Sequence, residues 1–225
     1  MNIVVLTGAG VSAESGVPTF RDANGLWEGH DVMAVASPEG FARDPALVHR
    51  FYDERRTALE NVEPNAAHTA LAALQREHSD HVTLITQNVD DLHERAGADV
   101  LHMHGELVKA RCLGRGHVRH WRGPIGADDR CPDCGDALRP HIVWFGEMPF
   151  GLERIASALS EAGLFVAIGT SGTVYPAAGF VDEARAGGVR TLEINLERTG
   201  GVFDEVREGP ATREVVRWVD EVLGK

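Results

Sequence analysis

Five short apolar runs punctuate the chain, at 3–6, 82–86, 100–102, 164–168 and 191–194. They lack strict alternation and are partly β-branched, which is the pattern of strands covered on both faces. Between and after them lie segments whose apolar residues recur at three and four, at 45–60, 65–77, 152–161, 177–186 and 212–223. These are predicted helices. Pro45 follows Asp44 in a first turn, and Gly163 and Gly187 stand at helix ends, as start and stop signals should. In the last segment Val215, Val216, Val219, Val222 and Leu223 fall on one face. Strands alternating with helices predict an α/β fold with a parallel sheet and helices on both of its faces.

Two stretches break the rhythm. Residues 24–64 hold a loop and one long helix, while 106–141 are rich in Gly, Arg and His and contain all three cysteines. We expect them to pack together as a small lobe over the sheet edge. That leaves 1–23, 65–105 and 142–225 as the larger domain. A cleft between two lobes is a common ligand site.

Composition narrows the classes. The 225 residues suffice for one well-buried domain with a small insertion, and 43% hydrophobic with 25% charged residues describes a soluble globular chain. No apolar run approaches the ~20 residues of a membrane span. Met1-Asn2 leads straight into the first strand without a basic leader, so a cytoplasmic location is expected. Three cysteines do not make a disulfide framework, which agrees with a reducing compartment. The net charge of -12 argues against binding nucleic acid. It suits a basic partner such as a lysine-bearing peptide, or simply keeps the chain soluble.

The first strand runs into Thr7-Gly8-Ala9-Gly10-Val11-Ser12-Ala13-Glu14-Ser15-Gly16. Glycines after a strand let backbone approach a pyrophosphate, and a following helix N-terminus favours its charge. Ala13 stands where a dinucleotide fingerprint has its third glycine, and a ligand-free turn would look similar. No acid stands at the end of a second strand to hold a ribose, which weighs against an ordinary dehydrogenase.

The string continues through Thr19-Phe20-Arg21-Asp22-Ala23-Asn24-Gly25-Leu26-Trp27. From Gly8 to Trp27 it resembles the nucleotide-binding signature of the sirtuin family. Thr86-Gln87-Asn88-Val89-Asp90, His102-Met103-His104-Gly105, Pro140-His141-Ile142-Val143-Trp144-Phe145-Gly146-Glu147 and Gly169-Thr170-Ser171 also resemble that family's segments, in its order. The resemblance spans nearly the whole chain. It implies a Rossmann-like larger domain, a small zinc-bearing lobe and a monomer. It also implies removal of acyl groups from protein lysine side chains with consumption of NAD, giving nicotinamide and O-acyl-ADP-ribose. In that scheme the acyl amide oxygen attacks the ribose, and a base then activates a ribose hydroxyl.

The resemblance assigns roles. His104 is the base, a part for which an imidazole is suited near neutral pH; spacing alone does not choose it over His102. Asn88 and Asp90 belong to the nicotinamide–ribose end and Gln87 to the ribose, although a turn with an Asx cap would look alike. Gly8, Ala9, Gly10, Ser12, Glu14, Thr19, Phe20, Arg21 and Trp27 would line the dinucleotide, with Phe20 covering the reacting ribose. Gly169, Thr170, Ser171, Asn195, Leu196 and Ala211 would complete its site. Residues 143–147 and 172–175 would flank a peptide docked as an added strand, with Val143, Phe145, Gly146 and Glu147 as substrate contacts.

Tyr52 and Arg55 lie three apart on one helical face. A phenol and a guanidinium together bind a carboxylate well. The pair resembles class III sirtuins, which prefer succinyl and malonyl lysine. Ala23 would leave room for a longer acyl chain, and acetyl should also fit. A solvated face with Arg55 paired to a nearby acid is the plainer alternative.

Cys131-Pro132-Asp133-Cys134 is one thiolate pair of zinc-binding spacing. Cys112 stands at the family's first ligand position and Arg115 at the second, which breaks the other pair. His117 or His120 can complete a Cys3His site. Otherwise the lobe holds by packing alone. Two further readings are a mono-ADP-ribosyltransferase, which needs neither Tyr52 nor Arg55, and a non-catalytic NAD sensor.

Overall fold

Residues 1–18, 26–27, 29–78, 81–126 and 128–225 are described by a computed structural model of the chain. Along it run β1 (Ile3–Thr7), the ribbon β2 (Leu26–Trp27) and β3 (His30–Asp31), and helices α1 (Val32–Val35), α2 (Pro38–Arg43), α3 (Pro45–Ala58) and α4 (Ala66–Glu77). Then come β4 (Val82–Thr86), α5 (Leu92–Arg95), β5 (Val100–His102), β6 (Gly105–Cys112), β7 (Val118–His120) and β8 (Leu138–Ile142). The chain ends with α6 (Leu152–Ser160), β9 (Leu164–Ile168), α7 (Phe180–Ala186), β10 (Arg190–Asn195), β11 (Glu205–Glu208) and α8 (Ala211–Leu223).

The apolar runs pair in parallel as one six-stranded sheet, ordered β11-β10-β9-β1-β4-β5. This is the expected Rossmann-like arrangement. Alternate residues of β1 enter different cores: Ile3 and Val5 pack with α4 and α8, while Val4 and Leu6 pack with α6 and α7. Strand order reverses between β1 and β9, the switch point where such sheets bind ligands beyond their carboxyl ends. The loops leaving β1 and β9 touch there. A Cβ on Gly8 would meet the Gly169 carbonyl oxygen at 2.8 Å, and one on Gly10 would meet the Gly169 Cα at 2.6 Å. Both glycines are therefore needed for loop against loop. The helix expected after them is two 3-10 turns, Ala9–Val11 and Ala13–Ser15, and the long helix whose start meets this loop is α8.

The cysteine stretch is an antiparallel sheet, β7-β6-β8, which the sequence pattern did not reveal. Helix α3 packs onto it through Phe51, Tyr52, Leu107, Ile142 and Trp144. Arg56 joins them further, donating to the Leu107 carbonyl at 2.6 Å and to Asp53 at 2.5 Å, while Asp53 accepts from the Ile125 amide at 3.0 Å. No helix among the described residues is long and apolar enough to cross a membrane.

Candidate functional site

A cavity of about 1190 Å³ opens over the carboxyl ends of β1, β4, β9 and β10 and continues to α3. Gly8, Ala9, Gly10, Glu14, Gln87, Asn88, Asp90 and His104 line it, as do Gly169, Thr170, Ser171, Asn195, Leu196 and Ala211. Trp27, Tyr52, Arg55, Val143, Phe145, Gly146 and Glu147 line its other end. Thr19, Phe20, Arg21 and Ala23 lie outside the described residues.

His104 follows β5 and points its Nδ1 at the Gln87 carbonyl oxygen, 2.9 Å away. A carbonyl only accepts, so in the neutral ring the proton sits on Nδ1 and Nε2 keeps its lone pair. Burial lowers the His104 pKa, with the Gln87 carbonyl opposing, and this favours the form that can accept a proton. His102, two residues earlier, does not line the cavity. Its Nδ1 meets the Asn88 carbonyl at 3.0 Å and its Nε2 the Glu94 carboxylate at 2.6 Å.

Asn88 and Asp90 sit just past β4, held from below by Ser12. The Asn88 amide donates to Ser12 Oγ at 3.1 Å, and Ser12 Oγ donates to Asp90 Oδ2 at 3.0 Å. Burial raises the Asp90 pKa, against the Leu92 amide and Ser12 hydroxyl that donate to it. Ser12 itself is wholly buried and lies behind the cavity lining, not on it. Gln87 donates to Thr170 Oγ1 at 3.0 Å and Asn195 to the Thr170 carbonyl at 2.8 Å, which ties three strand ends together. The Glu14 carboxylate accepts from the Thr212 amide and hydroxyl at 3.0 and 2.8 Å, so it clasps the start of α8.

At the α3 end, Tyr52 borders the cavity although water reaches none of its surface. Its hydroxyl accepts from Trp144 Nε1 at 3.0 Å. The Arg55 guanidinium lies 3.2 Å over the Phe51 ring and 5.2 Å from the Trp27 centroid, and donates to the Phe51 carbonyl at 2.6 Å. The next residue on this helix, Arg56, pairs with Asp53. Glu147 is a brace more than a contact. Its carboxylate accepts the Arg139 fork at 2.6 and 2.9 Å and the Trp144 amide at 2.9 Å. Burial opposes its charge, but these donors hold its carboxyl below the usual range. Trp144 was missing from the expected contacts. A tryptophan inside the apolar run Val143-Trp144-Phe145 must find a partner for its N–H, and that signal pointed to it.

The segment 143–147 is bent, and most of its amides are committed. Val143 N–H donates to the His104 carbonyl, Phe145 N–H to that of Ala36 and Glu147 N–H to that of Trp144. Among the described residues, the carbonyl of Val143 and the amide of Gly146 remain for a docked strand.

Beneath β6 and β8, Cys112, His117, Cys131 and Cys134 bring their ligand atoms within 4.8 Å of one another. Cys112 and Cys134 sulfurs are 3.7 Å apart, and Cys131 Sγ is 3.4 Å from His117 Nδ1. A tetrahedron with zinc–sulfur bonds of ~2.3 Å has edges of roughly 3.8 Å, so three thiolates and an imidazole fit a closed structural zinc site. His120 is exposed on β7 and outside this group. None of the four ligands lines the cavity.

The Sir2 family model matches residues 8–176. The NAD-dependent protein deacylase SIR2rp3 of Leishmania major is 58% identical over 231 residues, covering 98% of this chain and 95% of its own length. An NAD-dependent protein deacylase of Pasteurella multocida (strain Pm70) is 55% identical over 230 residues, covering 99% and 98%. Among solved structures, a Sir2 homologue in complex with NAD aligns at a TM-score of 0.87 and 40% identity, over 99% of this chain and 90% of that one. A Sir2 bound to an acetylated peptide aligns at 0.82 and 30%, over 99% and 93%.

Proposed function

The chain belongs to the Sir2 family, and from that premise we propose that it removes acyl groups from lysine side chains of proteins in an NAD-dependent reaction, with a preference for acidic acyl groups such as succinyl and malonyl. One observation carries the reading. A single cavity joins a neutral imidazole at the sheet's switch point to a phenol and a guanidinium on α3. At about 1190 Å³ it exceeds the ~300–1,000 Å³ of common small-ligand pockets, and so has room for a dinucleotide with an acyl chain beside it.

The glycine loop, residues 169–171 and Asn195 are the groups that would hold NAD along the strand ends. When bound, NAD supplies a ribose carbon made electrophilic by a positively charged leaving group. Everything else falls to the chain. Asn88 and Asp90, fixed through Ser12, orient polar groups at the β4 end. His104 Nε2 accepts a hydroxyl proton while Nδ1–H stays on the Gln87 carbonyl, which keeps the ring from turning. The peptide docks against the Val143 carbonyl and the Gly146 amide. Tyr52 and Arg55 receive the acyl tail. Burial raises the Tyr52 pKa, so its hydroxyl keeps its proton and can donate. A zinc held by Cys112, His117, Cys131 and Cys134 would brace the small lobe, away from the cavity.

The test is mass spectrometry of acetyl-, malonyl- and succinyl-lysine peptides with and without NAD. Succinyl-lysine should be cleaved only with NAD. A hydrogen bond to a charged group is worth ~1.5–3 kcal/mol, so Arg55→Met should slow desuccinylation by roughly 10- to 100-fold and leave deacetylation within about threefold. Equal losses on the two substrates would remove the acidic-acyl assignment. A mass gain of ADP-ribose on the peptide would replace deacylation with transfer.

A further inference from the structure

Tyr52 has one proton to give, and what it gives it to depends on what its oxygen already accepts. An indole Nε1–H is a donor with no acceptor capacity. Trp144 Nε1 donates to the Tyr52 oxygen at 3.0 Å, and among the described residues this is the hydroxyl's partner. We propose that Trp144 is a specificity-determining positioning residue: its N–H takes the acceptor side of Tyr52, so that the phenol meets an acyl tail only as a donor. This rests on the acidic-acyl reading above and adds to it a residue that neither bears charge nor touches the carboxylate of the acyl tail. A tail ending in a carboxylate accepts the phenol proton. A tail ending in a methyl group leaves a buried donor unpaired, which penalises that substrate.

The indole is built not to move. Arg139 lies 3.3 Å over its ring, and Phe41 packs on it with centroids 5.2 Å apart. Arg139 is fixed in turn by the Glu147 fork and by donating to the Ile142 carbonyl at 2.8 Å. Glu147 closes the loop by accepting the Trp144 amide at 2.9 Å. The backbone N–H and the ring of Trp144 are thus held by one ion pair. Trp144 is 2% exposed, Arg139 5% and Tyr52 0%, so water does not compete for these bonds. Arg55 leaves α3 one turn after Tyr52, and the two donors therefore reach the same end of the cavity.

Trp144→Phe keeps a ring for Arg139 and Phe41 and deletes the N–H alone. We expect the KM for a succinyl-lysine peptide to rise about fivefold to tenfold, with kcat for that peptide and kcat/KM for the acetyl peptide each within about twofold. In a Tyr52→Phe background the same change should add little, because the two side chains act as one unit. Equal losses on both peptides, or fully additive losses in the double variant, would overturn the proposal. If Trp144→Phe does not fold, the wild-type indole decides. Its N–H resonance should shift when a succinyl peptide binds in the presence of ADP-ribose and stay within its linewidth with an acetyl peptide; equal shifts would overturn it. Arg55→Met keeps the two claims apart. If it abolishes the succinyl preference while Trp144→Phe does not, the indole proposal fails alone; if it leaves the preference intact, the acidic-acyl reading fails first.

Discussion

Where the cavity meets the sheet, the imidazole and the glycine loops are held by main chain; where it meets the small lobe, the phenol and the indole are held by other side chains. His104 hangs from the Gln87 carbonyl, and the loops of β1 and β9 interlock through glycine backbone. Tyr52 depends on Trp144, Trp144 on Arg139, and Arg139 on Glu147. Main-chain positions follow from the sheet itself, so the reactive end changes only if strands shift. A side-chain brace changes with one substitution. The reactive end is built to stay constant, and the acyl end can be retuned without disturbing the chemistry.

The sharpest way to break that contrast is at His104. His104→Ala should lower turnover by ~10²- to 10⁴-fold, the usual worth of a general base, and should do so alike for succinyl and acetyl peptides. ADP-ribose affinity, read by calorimetry, should change far less. Because burial lowers the His104 pKa below its ordinary 6.5, activity should persist on the acid side of 6.5 and fall only at lower pH. A variant that lost one substrate and kept the other would mean that the two ends are not separate.

A smaller effect is expected from the metal lobe, which braces the acyl end through β8. His117→Ala should release zinc, measured by elemental analysis, and lower the thermal midpoint by several degrees, since each 1 kcal/mol is worth ~2–4 °C in a chain of this size. His120→Ala should do neither. If His120→Ala releases the metal and His117→Ala does not, the ligand set drawn from the 3.4 Å approach of Cys131 to His117 is wrong.

The same contrast explains what could be read in the sequence. Apolar runs buried on both faces declare themselves, and all five became strands of the parallel sheet. β6 did not, because Glu106, Lys109 and Arg111 interrupt it and a register shift between Glu106 and Ala110 breaks its period of two. β11 did not either: as an edge strand, with Glu205 and Glu208 exposed, it has no apolar run to show. Ser12 and Glu147 lay in the right motifs, yet both turned out to hold other residues. Motif position tells which residues gather at a site but not which of them face the ligand. The Trp144–Tyr52 bond joins residues 92 apart in sequence, beyond the reach of any local pattern.

The smallest expected effect concerns stability, and it separates the two ends by pH. Burial pushes His68 to about 4 and His93 to about 3, and these two rings pack 4.8 Å apart beneath the reactive end. Burial, with Arg111 beside it, takes His141 to about 4 where β8 meets Phe150. Each is protonated more readily when unfolded, at about 6.5, than when folded. Their contribution is therefore intact above pH 6.5, erodes as pH falls through that value, and is lost fully only below the folded values. Each adds up to ~1.4 kcal/mol per pH unit of slope in that window. His102 runs the other way. Burial works to lower its pKa, but the Glu94 carboxylate raises it above 6.5, so its contribution is present below 6.5 and lost as pH rises through the folded value. Burial lowers His49 and His104 as well, so urea midpoints at pH 7.5, 6 and 5 should decline, with these five histidines outweighing His102. Hydrogen exchange should show α4, whose buried His68 is taken to about 4, loosening before α3, where burial also lowers His49 but the Asp53 carboxylate opposes it. A flat profile, or α3 opening first, would mean that the main-chain end is not the one sensitive to acid.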